Sequence, residues 1–247
     1  MKRNVCGFVS VVTVLFTLVC GCVAQETPTQ VLKQRERYTL AIALKFSKKN
    51  RNPLERTLSV FFDGTTPNAH ATGFLVGNGL VMTAYHVVSG ELSASKRKLL
   101  GFKVQDELEV TAFINSCEAR VIKVDPHADL ALLRMCETSK RGEQPTFQTD
   151  PAIDEKLLLI ARPGDDKVVC RGSFYGQYNF RGQDYLSVKI DGRDGFSGSP
   201  VYNYKGEVIG VFCLYDWTKG LALISPGVRV KKLLDDYYAE AQIPATK

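Results

Sequence analysis

Histidine is scarce in this sequence, which contains only three in 247 residues. These are His70, His86 and His127, and no spacing of histidine and cysteine is typical of a zinc site. The sequence also lacks long runs of lysine or arginine, internal repeats and low-complexity tracts, and its net charge of +6 is mild. We therefore expect no metal, no other cofactor and no nucleic-acid partner.

A long apolar run without charges occurs only near the start of the sequence, from Val5 to Val19. Lys2 and Arg3 precede this run and small residues follow it, which is typical of an export signal. The run is too short to span a bilayer as a mature helix, and no later segment is apolar for long enough. We expect residues 1–21 to be a signal peptide and the protein to act outside the cytoplasm.

Two cleavage sites fit the end of this signal. Residues 19–22 resemble a bacterial lipobox, after which Cys22 would be the lipidated N-terminus. Residues 22–24 also fit the small-x-Ala pattern of ordinary signal peptidase, which would cut before Gln25. We favour the lipoprotein, because the Gly-Cys pair directly follows the apolar run. The expected location is then a bacterial cell envelope, with contact to the membrane only through this lipid, and ordinary secretion is the alternative.

Four cysteines follow the signal region, and an even number in an exported protein permits disulfides. They are Cys117, Cys136, Cys170 and Cys213. The first two flank a segment that is typical of a single hairpin, so they could pair. Buried free thiols are the alternative for all four.

Short β-rich runs separated by turn residues dominate the sequence from about residue 57. Asn78-Gly79 is a strong hairpin signal, because both central residues of such a turn take positive φ. About six runs lie on each side of a polar stretch at residues 138–151, which fits two antiparallel barrels. Residues 228–241 have helical apolar spacing after Pro226 and predict a C-terminal helix.

These patterns divide the chain into consecutive segments. Residues 22–53 are mostly polar and are interpreted as a tether or extension, in which the apolar residues 38–44 could form an added strand or a short helix. We then expect a first barrel at 54–140, a linker and second barrel at 141–225, and a helix and tail at 226–247.

Three short segments carry the side chains that acyl transfer requires. His86 ends a predicted strand, Asp129 begins another, and Ser197 lies in a glycine-rich loop. A serine hydroxyl is a poor nucleophile at neutral pH and needs an adjacent base, which His86 would supply. Asp129 would fix the tautomer of the imidazole. Gly195 would let its own N–H and that of Ser197 point at one developing oxyanion.

The three segments resemble those of the trypsin-like serine proteases, in the bacterial branch that includes Deg-type proteases and glutamyl endopeptidases. The matching motifs are Thr-Ala-x-His, Asp-Leu-Ala-Leu and Gly-x-Ser-Gly-Ser-Pro, in that order. The resemblance covers about residues 57 to 234. It implies an all-β, chymotrypsin-like fold of two six-stranded antiparallel barrels with a C-terminal helix. It also implies an exported serine endopeptidase that acts on proteins or peptides through an acyl-enzyme.

The resemblance also suggests which residues bind substrate. Val211, Phe212 and Cys213 would form the strand that pairs with an extended peptide. Asp191, six residues before Ser197, has the spacing of the acidic pocket residue in trypsin and suggests a preference for Lys or Arg before the cleaved bond. A pocket that selects by apolar fit is the alternative.

One residue departs from the animal enzymes of this family. They have Asp directly before the nucleophile, where it pairs with a freed N-terminus, whereas this chain has Phe196. We infer that activation by N-terminal insertion does not operate here.

Two other functions remain open. A catalytically silent homologue that binds peptides or envelope partners is favoured by Phe196 and disfavoured by the complete set of His86, Asp129 and Ser197. A protease with a chaperone role, like Deg-type enzymes, would normally carry a peptide-binding domain after the protease domain. Because few residues follow the predicted final helix, we expect no such domain here.

Overall fold

Two closed barrels of six antiparallel strands contain most of the residues that the structure describes. The structure is a computed structural model, and it describes residues 28–49, 67–136 and 144–242. Counted along the chain, the six strands of each barrel neighbour one another in the order 1-2-3-6-5-4, and the first strand closes the barrel against the fourth. The predicted chymotrypsin-like fold is therefore confirmed.

The strands of the first barrel are β1 (Thr39–Lys48), β2 (Ala69–Gly77), β3 (Leu80–Ala84), β4 (Leu108–Ile114), β5 (Cys117–Asp125) and β6 (Leu130–Arg134). Those of the second are β7 (Lys156–Ala161), β8 (Val168–Phe180), β9 (Gln183–Val188), β10 (Pro200–Asn203), β11 (Val208–Asp216) and β12 (Leu221–Pro226). The described helices are α1 (Pro28–Arg35), α2 (Ala94–Leu99) and α3 (Gly227–Gln242). Helix α3 follows Pro226 directly, as the sequence predicted.

Strand β1 comes from the segment that we expected to be an extension. Four of its apolar side chains alternate with less buried residues and face the barrel core: Leu40, Ile42, Leu44 and Phe46. Because β1 pairs with both β2 and β4, it closes the first barrel. The predicted boundary at residue 54 is therefore wrong, since this barrel begins at Thr39. The first of the expected β-rich runs, from about residue 57, lies outside the described part of the chain.

Two hairpins of the first barrel position the site. Asn78 and Gly79 have φ of +48° and +71° and connect β2 to β3, as predicted for a turn of this type. Strands β5 and β6 form the second hairpin, and a disulfide joins Cys117 to Cys136 at its open end. Asp129 lies at the opposite end of that hairpin, in the turn.

A buried apolar cluster joins the two barrels, in addition to the interior of each. Phe74 and Met82 of the first barrel pack in the same cluster as Leu158 and Tyr202 of the second. Helix α3 adds Val230, Leu233 and Leu234 to this cluster, and helix α1 adds Val31. The junction between the barrels is thus a packed interior, and the site described below lies along one edge of it.

Part of the predicted linker also contacts the second barrel. Residues 137–143 lie outside the described part, whereas Phe147 forms a parallel bridge with Val208. Among the helices in the described ranges, none has the length and apolar character that crossing a membrane requires.

Candidate active site

His86 lies where β3 ends and a 3₁₀ turn (Tyr85–Val87) begins. The Tyr85 N–H donates to the Asp129 carbonyl at 3.0 Å, which ties this turn to the β5–β6 hairpin. The His86 side chain is 40% exposed, so its ring can reach a substrate while its backbone is held.

Asp129 binds His86 at two points. Its Oδ1 accepts the His86 backbone N–H at 2.8 Å, and its Oδ2 lies 2.8 Å from His86 Nδ1. Asp129 itself has a φ of +52°, a left-handed conformation that aspartate tolerates better than most residues. This arrangement places the Nδ1 proton toward the carboxylate, and Nε2 is then available as a base.

Ser197 completes a continuous hydrogen-bonded series across the junction of the barrels. His86 and Asp129 belong to the first barrel, and Ser197 lies in the loop before β10 of the second. The distance from His86 Nε2 to Ser197 Oγ is 2.8 Å. The structure therefore brings together the three residues that the sequence predicted, at hydrogen-bonding distance from one another.

Hydrogen bonds fix the backbone of the loop that contains Ser197. Gly195 has a φ of +86°, which favours glycine. The Phe196 N–H donates to the Arg193 carbonyl, and the Phe196 carbonyl accepts from the Ser199 N–H. Within the described residues, no hydrogen bond uses the N–H of Gly195 or of Ser197. These are the two donors that the sequence predicted for an oxyanion.

Thr72 of β2 fixes this loop from the other barrel, and sequence reasoning missed it. Its N–H donates to the Ser197 carbonyl at 2.9 Å, and its Oγ1 donates to the Gly195 carbonyl at 2.8 Å. The same Oγ1 accepts the Arg162 N–H at 2.9 Å, and the whole residue is buried. The Thr-Gly pair before β3 is the only local signal, and it gives no indication of a contact 123 residues away.

Phe196 packs into the second barrel. It is 1% exposed and meets Phe212 edge to face, with 6.2 Å between the ring centroids. The position that an aspartate occupies in the animal enzymes is thus anchored here by apolar contact.

Cys213 and Tyr185 lie close to Asp129. The buried Cys213 thiol is 3.9 Å from the Asp129 carbonyl oxygen, and burial raises its pKa well above the usual value, with a further contribution from the Asp129 charge. Burial likewise raises the pKa of Tyr185. Both groups therefore stay neutral at neutral pH and add no second negative charge beside the carboxylate.

A cavity of about 410 Å³, the β11 cavity, opens on one side of Ser197. One wall is formed by Phe212, Cys213, Leu214, Tyr215 and Trp217, and the opposite wall by Gly192, Arg193 and Asp194. Strand β10 pairs with β11 no further than Val211, so in the described part of the chain the cavity-facing edge of β11 beyond Phe212 has no strand partner. Val211 is fully buried and contributes to the barrel, whereas Phe212 and Cys213 line the cavity.

Asp191 does not line this cavity, which corrects the expectation of an acidic pocket base. Asp191 is exposed, whereas the neighbouring residues Ile190 and Gly192 are buried. Its carboxylate therefore faces solvent and not the cavity. Gly192 instead packs against the Tyr215 ring, where an added Cβ would lie 2.6 Å from a ring carbon.

A second cavity of about 480 Å³, the apolar cavity, opens on the other side of Ser197. Its apolar walls include Leu44, Phe46, Leu92, Leu99, Leu100 and Pro163. Four residues line both cavities: His86, Lys96, Asp194 and Ser197. Lys96 and Asp194 form an exposed ion pair of 3.0 Å between the two barrels. Within the described ranges, no group of three His, Cys, Asp or Glu side chains is arranged to bind a metal ion.

Known proteins with related sequences are serine proteases. The chain is 24% identical over 205 residues to the serine protease HTR4 of Bos taurus, covering 80% of this chain and 39% of that protein. It is 25% identical over 150 residues to a glutamyl endopeptidase of Staphylococcus epidermidis, covering 57% of this chain and 52% of that protein. The chain thus spans between about a third and a half of the length of these relatives.

Solved structures share the fold. The active form of the Rv3671c protease from M. tuberculosis has a TM-score of 0.59 at 20% identity and covers 99% of this chain and 96% of that one. A serine endoprotease from Yersinia pestis has a TM-score of 0.58 at 17% identity and covers 84% of this chain and 65% of that one. The sequence-family model of the trypsin-like peptidase domain matches residues 71–211, more than half of the chain. The chain belongs to the trypsin-like peptidase family.

Proposed function

We propose that this protein is a serine endopeptidase in which Ser197 is the nucleophile, His86 the base and then the acid, and Asp129 the residue that orients His86. One observation carries the proposal: the two hydrogen bonds of 2.8 Å that connect Asp129, His86 and Ser197 in series across the junction. Chance surface residues do not form such a series, and it is the geometry that activates a serine hydroxyl.

The reaction would proceed in two halves. Ser197 Oγ forms a bond to the substrate carbonyl carbon as its proton passes to His86 Nε2. The C–N bond then breaks, and His86 gives this proton to the leaving amine, which leaves an acyl-enzyme. Water repeats the sequence in the second half and releases the acid. The N–H groups of Gly195 and Ser197 would bind the developing oxyanion, with each donor worth about 3 kcal/mol of the barrier.

The unpaired edge of β11 supports a peptide as substrate. An extended chain could add to this edge by main-chain hydrogen bonds, with a side chain in the β11 cavity. The residues before the cleaved bond would then lie on the β11 side.

Phe196 was the main observation in favour of a catalytically silent homologue, and its position in the structure removes that support. That side chain fills a place in the core of the second barrel, and the adjacent peptide groups are hydrogen-bonded in the loop around Ser197. Phe196 is therefore compatible with a formed oxyanion site.

The nucleophile is tested with a fluorescent fluorophosphonate, which reacts with activated serines. We expect wild-type protein and the exposed-serine control Ser95→Ala to be labelled and to cleave peptides. Ser197→Ala should do neither and should keep the wild-type melting temperature. Wild-type turnover in Ser197→Ala, or a wild-type protein that is neither labelled nor active, would reject the proposal.

We further propose that the protein is exported and carries a lipid on Cys22. The charged and apolar pattern of residues 1–24 supports this, and so does the Cys117–Cys136 disulfide, since disulfides persist in oxidising compartments. Mass spectrometry of the native N-terminus tests it. A lipidated Cys22 is expected, and an unmodified chain that begins at Gln25 would instead indicate ordinary secretion.

A further inference from the structure

The two cavities meet at the proposed nucleophile, and the apolar cavity has no role in the proposed function so far. Its mouth contains His86 and Ser197, and Gly195 also lines it. Its floor includes Leu44 and Phe46 of β1, which are almost fully buried. At about 480 Å³ it is in the size range of cavities that bind small ligands or large side chains.

The chemistry of its wall is selective. Its wall is mostly apolar, and the ionisable residues that line it besides His86 are all exposed to solvent: His70, Glu91 and the Lys96–Asp194 pair. A charged or strongly polar group placed inside would lose its hydration without gaining a partner. A large apolar group would instead exchange water for apolar contact.

Exposed apolar side chains beside the two cavities also indicate that a ligand binds there. Among the large hydrophobic residues in the described ranges, Leu99 and Trp217 are the most exposed, at 84% and 77%. Leu99 borders the apolar cavity and Trp217 the β11 cavity. The two most exposed large apolar side chains of the described residues thus each line one of the two cavities that meet at Ser197.

The position of the proposed acyl-enzyme decides which half of a substrate each cavity takes. The acyl half stays bonded to Ser197 and lies along β11. The leaving half must depart on the other side of Ser197, past His86, where the apolar cavity opens.

We propose that the apolar cavity is the subsite for a large apolar side chain, such as Leu, Met or Phe, in the first position after the cleaved bond. This inference rests on the proposed function, since it assigns a specificity to the leaving half of the same substrate.

The test uses internally quenched peptides that are identical before the cleaved bond, where the sequence is taken from a peptide-library profile. The next residue is Leu, Phe, Ala or Asp. We expect kcat/KM to be about tenfold or more higher for Leu and Phe than for Ala, and lowest for Asp. Equal values for Leu, Ala and Asp in an active enzyme would overturn the subsite.

A pair of matched variants assigns the preference to this cavity. Leu99→Ser should reduce the Leu-to-Ala ratio of kcat/KM by at least about threefold, because it removes one apolar side chain from the wall of the cavity. Val104→Ser changes another exposed apolar residue outside the cavity and should keep the wild-type ratio. An unchanged ratio in Leu99→Ser would contradict the inference. Fluorophosphonate labelling of Ser197 separates the two proposals, because labelled and active protein without the preference rejects only the subsite.

Discussion

At the scale of single residues, Asp129 combines an unusual backbone conformation with two contacts to His86. Its positive φ is tolerated by aspartate and asparagine, whose short polar side chains suit the left-handed region. Only its Oδ2, which faces Nδ1, requires a carboxylate, since an amide oxygen could equally accept the His86 backbone N–H.

Asp129→Asn should therefore lower turnover by up to about four orders of magnitude with little change in the melting temperature. The amide N–H₂ would face Nδ1 and favour the tautomer that has its proton on Nε2, so that His86 could no longer accept from Ser197. Kinetics of peptide hydrolysis together with thermal denaturation measure the two effects. A variant with normal turnover would remove Asp129 from the proposed mechanism.

Thr72 is a positioning residue, because it acts on the Ser197 loop and not on substrate. Thr72→Val keeps the shape but leaves the Gly195 carbonyl and the Arg162 N–H without this partner, at a cost of about 1–3 kcal/mol in stability. We expect kcat to fall about tenfold or more, since an oxyanion donor would be displaced. Thr72→Ser retains the hydroxyl and should restore kcat. Equal loss in both variants would contradict a role for the hydroxyl.

At the scale of elements, helix α1 shows how a short polar segment is held by tertiary packing, chiefly of Val31. Its sequence, PTQVLKQR, has little apolar character, yet Val31 is completely buried in the cluster that joins the barrels. Helices of this length are not stable alone, so tertiary packing must hold α1.

Val31→Ala should lower the free energy of unfolding by about 1–3 kcal/mol. The exposed Val104→Ala serves as the control and should change it by less than about 0.5 kcal/mol. Urea denaturation measures both. If the two variants were equally stable, the docking of α1 seen in the structure would be refuted.

The same elements show what the sequence could predict. Strands with apolar alternation, the Asn78-Gly79 turn and helix α3 carry local signals, and so do the motifs around His86, Asp129 and Ser197. The role of Thr72 depends on a contact between barrels, for which no local pattern exists. The pocket role predicted for Asp191 was wrong because spacing along the chain does not fix the direction in which a side chain faces. In extended backbone, a shift of one residue reverses that direction.

At the scale of the whole molecule, the shared apolar cluster couples the two barrels. Each barrel has an apolar interior of its own, and Phe74 and Met82 of the first also pack with Leu158 and Tyr202 of the second in a cluster that joins them. The proposed catalytic residues are divided between the barrels in the same way.

We therefore expect a single unfolding transition in calorimetry, with equal calorimetric and van't Hoff enthalpies. Loss of fluorophosphonate labelling should follow the same curve, because separation of the barrels would break the contact between His86 and Ser197. Two resolved transitions would show that the barrels unfold independently.

The docking of α1 has a consequence for where the enzyme would meet its substrates. Pro28 begins this helix, and Cys22 is six residues earlier, a distance of at most about 22 Å in any conformation. With the proposed lipid on Cys22, the cleft would stay within a thin layer above the bilayer. The protein would then meet its substrates by diffusing along the membrane surface. Other envelope proteins would be favoured as substrates over freely diffusing proteins, because their local concentration at that surface is high.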